Sequence, residues 1–105
     1  MRYHIIESYL KRREITLLTR RFLASGRVQG VGFRWATVQL ARNLHLTGTV
    51  QNLETGQVAI VASGSAEVLD LFAHRLYHVN AWARVTDLVQ TELPAQHFAD
   101  FQIII

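Results

Sequence analysis

The hydrophobic positions of this chain switch between two periods, and the switches mark the elements. From Ile15 to Ser25 apolar and β-branched residues dominate, with Phe22 and Ala24 on one face, which predicts a first strand. Thr37, Leu40, Ala41 and Leu44 then recur three and four apart, so residues 34–45 read as a helix led in by Phe33. Gly48 to Leu53 reads as a second strand and Glu54-Thr55-Gly56 as a turn. Over residues 57–63, Val58, Ile60 and Ala62 alternate with Ala59, Val61 and Ser63, the two-sided apolar pattern of a central strand. Ser65 is placed to cap a second helix, with Glu67 and Asp70 where the helix dipole favours acids. Val68, Leu69, Phe72 and Leu76 mark its buried stripe to about Tyr77. Arg84 to Leu93 predicts a fourth strand stopped by Pro94, and Phe98 to Ile105 a short last one with Phe101 and Ile103 on one side.

The order is β-α-β-β-α-β plus a short C-terminal edge strand: an α+β, ferredoxin-like split β-α-β sandwich. Right-handed crossovers then put both helices on one face of an antiparallel sheet. With 105 residues there is material for one core. The domain is expected over residues 15–105. Residues 1–14 form a basic extension, with Ile5, Ile6, Tyr9 and Leu10 at helical spacing before Lys11-Arg12-Arg13.

Charge changes the picture less than its total suggests. The formal net charge is +3, but residues 1–21 hold six basic against two acidic side chains and residues 22–105 hold five against six. The body of the domain is close to neutral, so a field built for a polyanion is not expected, and neither is a nucleic-acid partner. No apolar run approaches the ~20 residues of a membrane span, and the N-terminus reads as no secretory signal. The chain has no cysteine, which removes disulfides and thiolate chemistry. A cytoplasmic monomer is expected.

Chemistry concentrates at Gly26-Arg27-Val28-Gln29-Gly30-Val31-Gly32-Phe33-Arg34, where a strand gives way to a helix. Glycines there allow successive backbone N–H groups to turn inward, and a helix N-terminus adds a partial positive charge. Arg34 brings a planar, permanently charged fork that suits phosphate oxygens. The loop lacks the lysine-serine or lysine-threonine pair of a P-loop, and Trp35 stands where a dinucleotide fingerprint needs its third glycine. A small phosphate-bearing ligand is the expectation.

The stretch from Val28 to Arg34 resembles one signature of the acylphosphatases. Gly48-Thr49-Val50-Gln51-Asn52, followed by Gly56, Val58 and Gly64, resembles the other, and Phe98 to Ile103 is similar to that family's closing strand. The resemblance runs from about residue 20 to the C-terminus. It implies hydrolysis of a small acyl phosphate to a carboxylate and inorganic phosphate, by direct attack of water and without metal or cofactor. It implies that backbone N–H groups of Gln29, Gly30, Val31, Gly32 and Phe33 cradle the phosphate, that Arg34 clamps it, and that Asn52 holds the attacking water. Three positions depart from the usual pattern: Thr49 for an aromatic residue, Gln51 for a basic one, and His45 for the glycine that often closes the first helix.

Other readings carry less. A silent phosphate-binding or interaction domain of the same fold is the alternative, with Thr49 in its favour and Arg34 and Asn52 against it. A carbamoyl-phosphate-handling piece of a larger maturation enzyme would bring zinc fingers or further domains. An RNA-binding sheet needs aromatic residues on central strands, and residues 57–63 contain none. His74 and His78 have a metal-compatible spacing but no third ligand, so a solvated helix face is the expectation. Trp35 and Trp82 are read as packing or rim residues.

Overall fold

The computed structural model describes residues 17–105. The basic extension expected over residues 1–14, and the first residues of the strand expected from Ile15, lie outside the described residues. Within them the order is β1 (Leu18–Arg27), α1 (Phe33–Asn43), β2 (Thr47–Asn52), β3 (Val58–Gly64), α2 (Ala66–Leu76), β4 (Arg84–Leu93) and β5 (Phe101–Ile103). No helix among the described residues is long and apolar enough to cross a membrane.

The strands form one sheet in the order β4-β1-β3-β2-β5. β3 pairs antiparallel with β1 and with β2, so β1 and β2 run parallel on either side of it, the split β-α-β arrangement. β4 is antiparallel to β1, whereas β5 pairs parallel with β2 and makes the sheet mixed. α1 packs on β2 and β5, α2 packs on β1 and β3, and the helices touch each other, so both cover one face.

The core lies beneath those helices. Phe22, Ile60 and Val50 face one another across β1, β3 and β2 and are fully buried. Phe72 of α2 meets Phe22 edge-on at 5.4 Å and Phe101 of β5 at 6.2 Å between ring centroids. Each buried phenylalanine contributes about 1.5–3 kcal/mol, so these rings bind one helix and both flanks of the sheet into one unit. Ser65 caps α2 as expected, its Oγ accepting from Val68 N at 3.3 Å. α1 closes through His45, at φ +57°, with His45 N donating to Arg42 O and Leu46 N to Ala41 O. A left-handed histidine costs about 1–2 kcal/mol. Burial of Leu46 and the two carbonyls satisfied there offset it.

The opposite face is partly covered by the chain itself. After β4 the backbone crosses the whole sheet to reach β5, and Gln96 lands over the paired residues Thr19 and Ser63. Ser63 Oγ donates to Gln96 O at 2.8 Å and Gln96 N donates to Thr19 Oγ1 at 2.9 Å. The Ser63 proton is thereby used, so the 2.7 Å contact between the two hydroxyls is a donation from Thr19 to Ser63. Both hydroxyls are buried and satisfied. Thr37 of α1 is also buried, but its Oγ1 has no hydrogen-bond partner among the described residues.

One substitution is therefore expected to have opposite signs at two sites. Thr19→Val breaks the Gln96 crossing and should lower stability by about 1–3 kcal/mol, whereas Thr37→Val removes an unsatisfied hydroxyl and should be neutral or stabilising. Urea unfolding of both variants beside the parent protein measures the difference.

Candidate active site

β1 and β2 are parallel, so their C-terminal ends lie at the same edge of the sheet, and the loop over residues 28–32 leaves β1 there. Gly30 and Gly32 take left-handed torsions, φ +75° and +74°, which turn the intervening backbone into a concave arc. Gly32 is also the N-cap of α1 and offers no side chain to the first turn, where no acidic residue stands either. Among the described residues, no backbone N–H of residues 29–33 donates to a backbone carbonyl. An eleven-residue helix thus opens with unspent donors and an uncompensated dipole, the arrangement that attracts an anion.

Gly30, Gly32, Phe33 and Arg34 line one cavity of about 160 Å³, with Val28, Trp35 and Ile103 around them. That is below the ~300 Å³ at which pockets for drug-sized ligands begin, and it suits a phosphoryl group better than a nucleotide. Arg34 is half-buried and makes no ion pair or hydrogen bond through its side chain among the described residues. Arg20 and Arg42, by contrast, are engaged with Asp70 at 2.6 Å and Asp100 at 3.0 Å. A guanidinium left unpaired at the lip of a donor-rich loop is available to a ligand.

Two amides hold the loop in place. Gln29 Nε2 donates to Leu53 O at 2.8 Å and to Gln57 O at 2.9 Å, joining the loop to the turn between β2 and β3. From the other side Asn80 Nδ2 donates to Val31 O at 2.9 Å. Asn80 is itself fixed, because its Oδ1 accepts from Trp82 N at 3.0 Å and Ala83 N at 2.8 Å.

Asn52 is the last residue of β2, one position before Leu53 and so beside the Gln29 bridge. It does not line the 160 Å³ cavity. Its Oδ1 is buried and has no hydrogen-bond partner among the described residues. The ordinary role of an asparagine before a turn, bonding its own backbone, is taken by others: Leu53 N donates to Gln57 O at 2.8 Å and Gln57 N to Thr55 Oγ1 at 3.3 Å. A buried carbonyl oxygen without a partner carries a desolvation cost of about 1–3 kcal/mol that a bound donor would relieve.

The remaining candidates lie apart from this loop. His74 on α2 and His78 in the turn after it are both exposed and border a hollow between the helices. No group of three His, Cys, Asp or Glu among the described residues could hold a metal ion. Trp82 is exposed in the loop after α2. Asn80 escaped the sequence reading. The only available signal was an asparagine in an irregular stretch before β4, a composition that favours local backbone bonding and says nothing about Val31.

The acylphosphatase family model matches residues 20–103. An acylphosphatase of Marinobacter nauticus is 51% identical over 83 residues, covering 76% of this chain and 88% of its own. The solved structure of an acylphosphatase from Coxiella burnetii superposes with a TM-score of 0.82 at 30% identity, covering 88% of this chain and 97% of its own. That of the Bacillus subtilis acylphosphatase gives 0.80 at 34% identity, with 84% and 99% covered. Two motifs on one edge of the sheet, a split β-α-β fold and relatives that span the same domain lead to one conclusion: the chain belongs to the acylphosphatase family.

Proposed function

We propose that the chain hydrolyses small acyl phosphates to a carboxylate and inorganic phosphate, with Arg34 and Asn52 as its catalytic side chains and residues 15–105 as the working domain. The observation that carries this reading is the pairing of free donors with an unpartnered acceptor. The N–H groups of Gln29, Gly30, Val31, Gly32 and Phe33, with the unpaired Arg34 fork, match the charge of a phosphoryl group. The buried Asn52 Oδ1 matches a water proton.

In this mechanism the cradle and Arg34 hold three phosphoryl oxygens, where charge accumulates in the transition state. Water attacks phosphorus as the bond from phosphorus to the carboxylate oxygen breaks, and the carboxylate leaves with the bonding pair. One water proton passes to a phosphoryl oxygen, so the products are a carboxylate and dihydrogen phosphate. An amide is far too weak a base to take that proton. Asn52 instead accepts a hydrogen bond from the water and turns its lone pair toward phosphorus, a contribution of orientation. A carboxylate is a good leaving group, so the reaction asks for no strong general acid, and the reading uses no metal or cofactor. Every element of the site comes from one chain, which supports a monomer acting on a small molecule, and the absence of cysteine fits a cytoplasmic setting.

Steady-state hydrolysis of benzoyl phosphate with excess chelator tests the assignment. Arg34→Ala and Asn52→Ala should each lower kcat by about a hundred- to a thousandfold with folding intact by circular dichroism. Turnover that survives in Arg34→Ala would contradict the site, and a wild type that binds phosphate without turnover would make this a silent member of the family. Asn80→Ala, which removes the outer tether of the loop, should lower kcat/KM by about tenfold or more through misplacement alone. The same assay measures it, with urea unfolding as the stability control.

A further inference from the structure

Two large apolar side chains border the phosphoryl cradle without belonging to the core. Trp35, next to Arg34 in the first turn of α1, is 66% exposed, and Ile103 of β5 is 44% exposed. Both line the cavity that Gly30, Gly32 and Arg34 line. They also share the hollow between α1 and β5, so they are neighbours in space. Each is fixed in place by its backbone. Phe33, Thr37 and Val38 turn inward on α1 and leave residue 35 on the outer side. Ile103 pairs with Val50, and Ile104 N donates to Val50 O at 2.9 Å, two residues before Asn52.

An exposed tryptophan beside an exposed isoleucine is costly surface unless something covers it. The cradle handles only the phosphoryl group, which every acyl phosphate carries alike, so discrimination among substrates falls to whatever meets the organic part. With the phosphoryl group in the cradle the organic part lies outside it, and part of the rim of the same cavity is apolar.

We infer that Trp35 and Ile103 form a subsite for the organic group of the substrate, and that it selects acyl phosphates with an apolar, flat group over acetyl phosphate. The inference rests on the acyl phosphate reading above and names the substrate class within it. A ring laid against Trp35 loses water from both surfaces, whereas a methyl group reaches little of either. An organic group ending in a second carboxylate or phosphate gains nothing from these two side chains.

Binding separates this inference from the chemistry. In phenacylphosphonate and acetonylphosphonate a methylene replaces the bridging oxygen of benzoyl and acetyl phosphate, so neither can be hydrolysed in the same way. Calorimetric titration of the wild type should give a Kd for the phenacyl compound about tenfold lower than for the acetonyl one. Trp35→Ala should bring the ratio to about one, Trp35→Phe should keep most of it, and Ile103→Ala should lose part. The ratio of kcat/KM for benzoyl over acetyl phosphate, normalised to wild type, should fall in parallel. Equal affinities in the wild type, an unchanged ratio in Trp35→Ala, or no binding of either phosphonate would overturn the subsite. The expected preference in a wild type that hydrolyses neither acyl phosphate would support the subsite and refute the acyl phosphate chemistry.

Discussion

A single side-chain amide joins the two halves of the site. Gln29 Nε2 donates to the carbonyls of Leu53 and Gln57 at once, and those residues close the turn that follows Asn52. Nothing in the backbone of the loop over residues 28–32 would otherwise hold it to β2, because β3 separates β1 from β2 in the sheet. Glycine torsions can shape a concave loop, but only a tether fixes its distance from the unpartnered Asn52 Oδ1 on another strand. Catalysis by preorganised donors depends on that distance more than on the strength of any one contact. Asn80 completes the arrangement by holding Val31 O from the other side, so the loop is clamped at both ends of its arc.

The C-terminal strand has a similar double role. Reaching the β2 edge from the β4 edge requires the chain to cross the sheet, and the crossing is secured where Gln96 bonds Thr19 and Ser63. Arg42 then ties α1 to Asp100 at 3.0 Å and to the Phe101 carbonyl at 3.1 Å. Because β5 enters parallel to β2, it runs toward the end of the sheet that carries Asn52. Phe101 turns into the core and Ile103 stands at the rim of the cavity. The segment that completes the sheet also delivers an apolar wall to the cavity that Gly30, Gly32 and Arg34 line.

How much of this was legible beforehand follows the range of the physics involved. Local patterns did well: β4 lies over Arg84 to Leu93, ending before Pro94 as expected, and Ser65 caps α2; His45, where the resemblance expects a helix-closing glycine, is left-handed. β3 is central, as its two-sided apolar run required. Boundaries moved by two or three residues where tertiary pairing overrode pattern. β1 continues to Arg27 through a register shift at Ser25 and Gly26 that alternation cannot reveal. The pairing direction of β5 was also hidden, since three residues carry no information about which edge they join. For the candidate site, Gly30, Gly32 and Arg34 stood out through backbone and charge patterns, and the structure brings all three to one cavity. Asn52 stood out only through its motif, because an unpartnered buried Oδ1 leaves no trace in a sequence pattern. The Asn80 bond to Val31 and the shared lining of one cavity by Trp35 and Ile103 span 49 and 68 positions of sequence, beyond any local signal.

The proposed chemistry requires an anion in the loop between β1 and α1, within reach of Asn52. Titrating the ¹⁵N-labelled protein with inorganic phosphate, followed by amide nuclear magnetic resonance, tests it residue by residue. Saturable shifts of the backbone amides of Gln29 to Arg34 and of the Asn52 side-chain amide, with a common Kd, are the expected result. Shifts confined to the basic N-terminal residues, or centred on His74 and His78 between the helices, would contradict it.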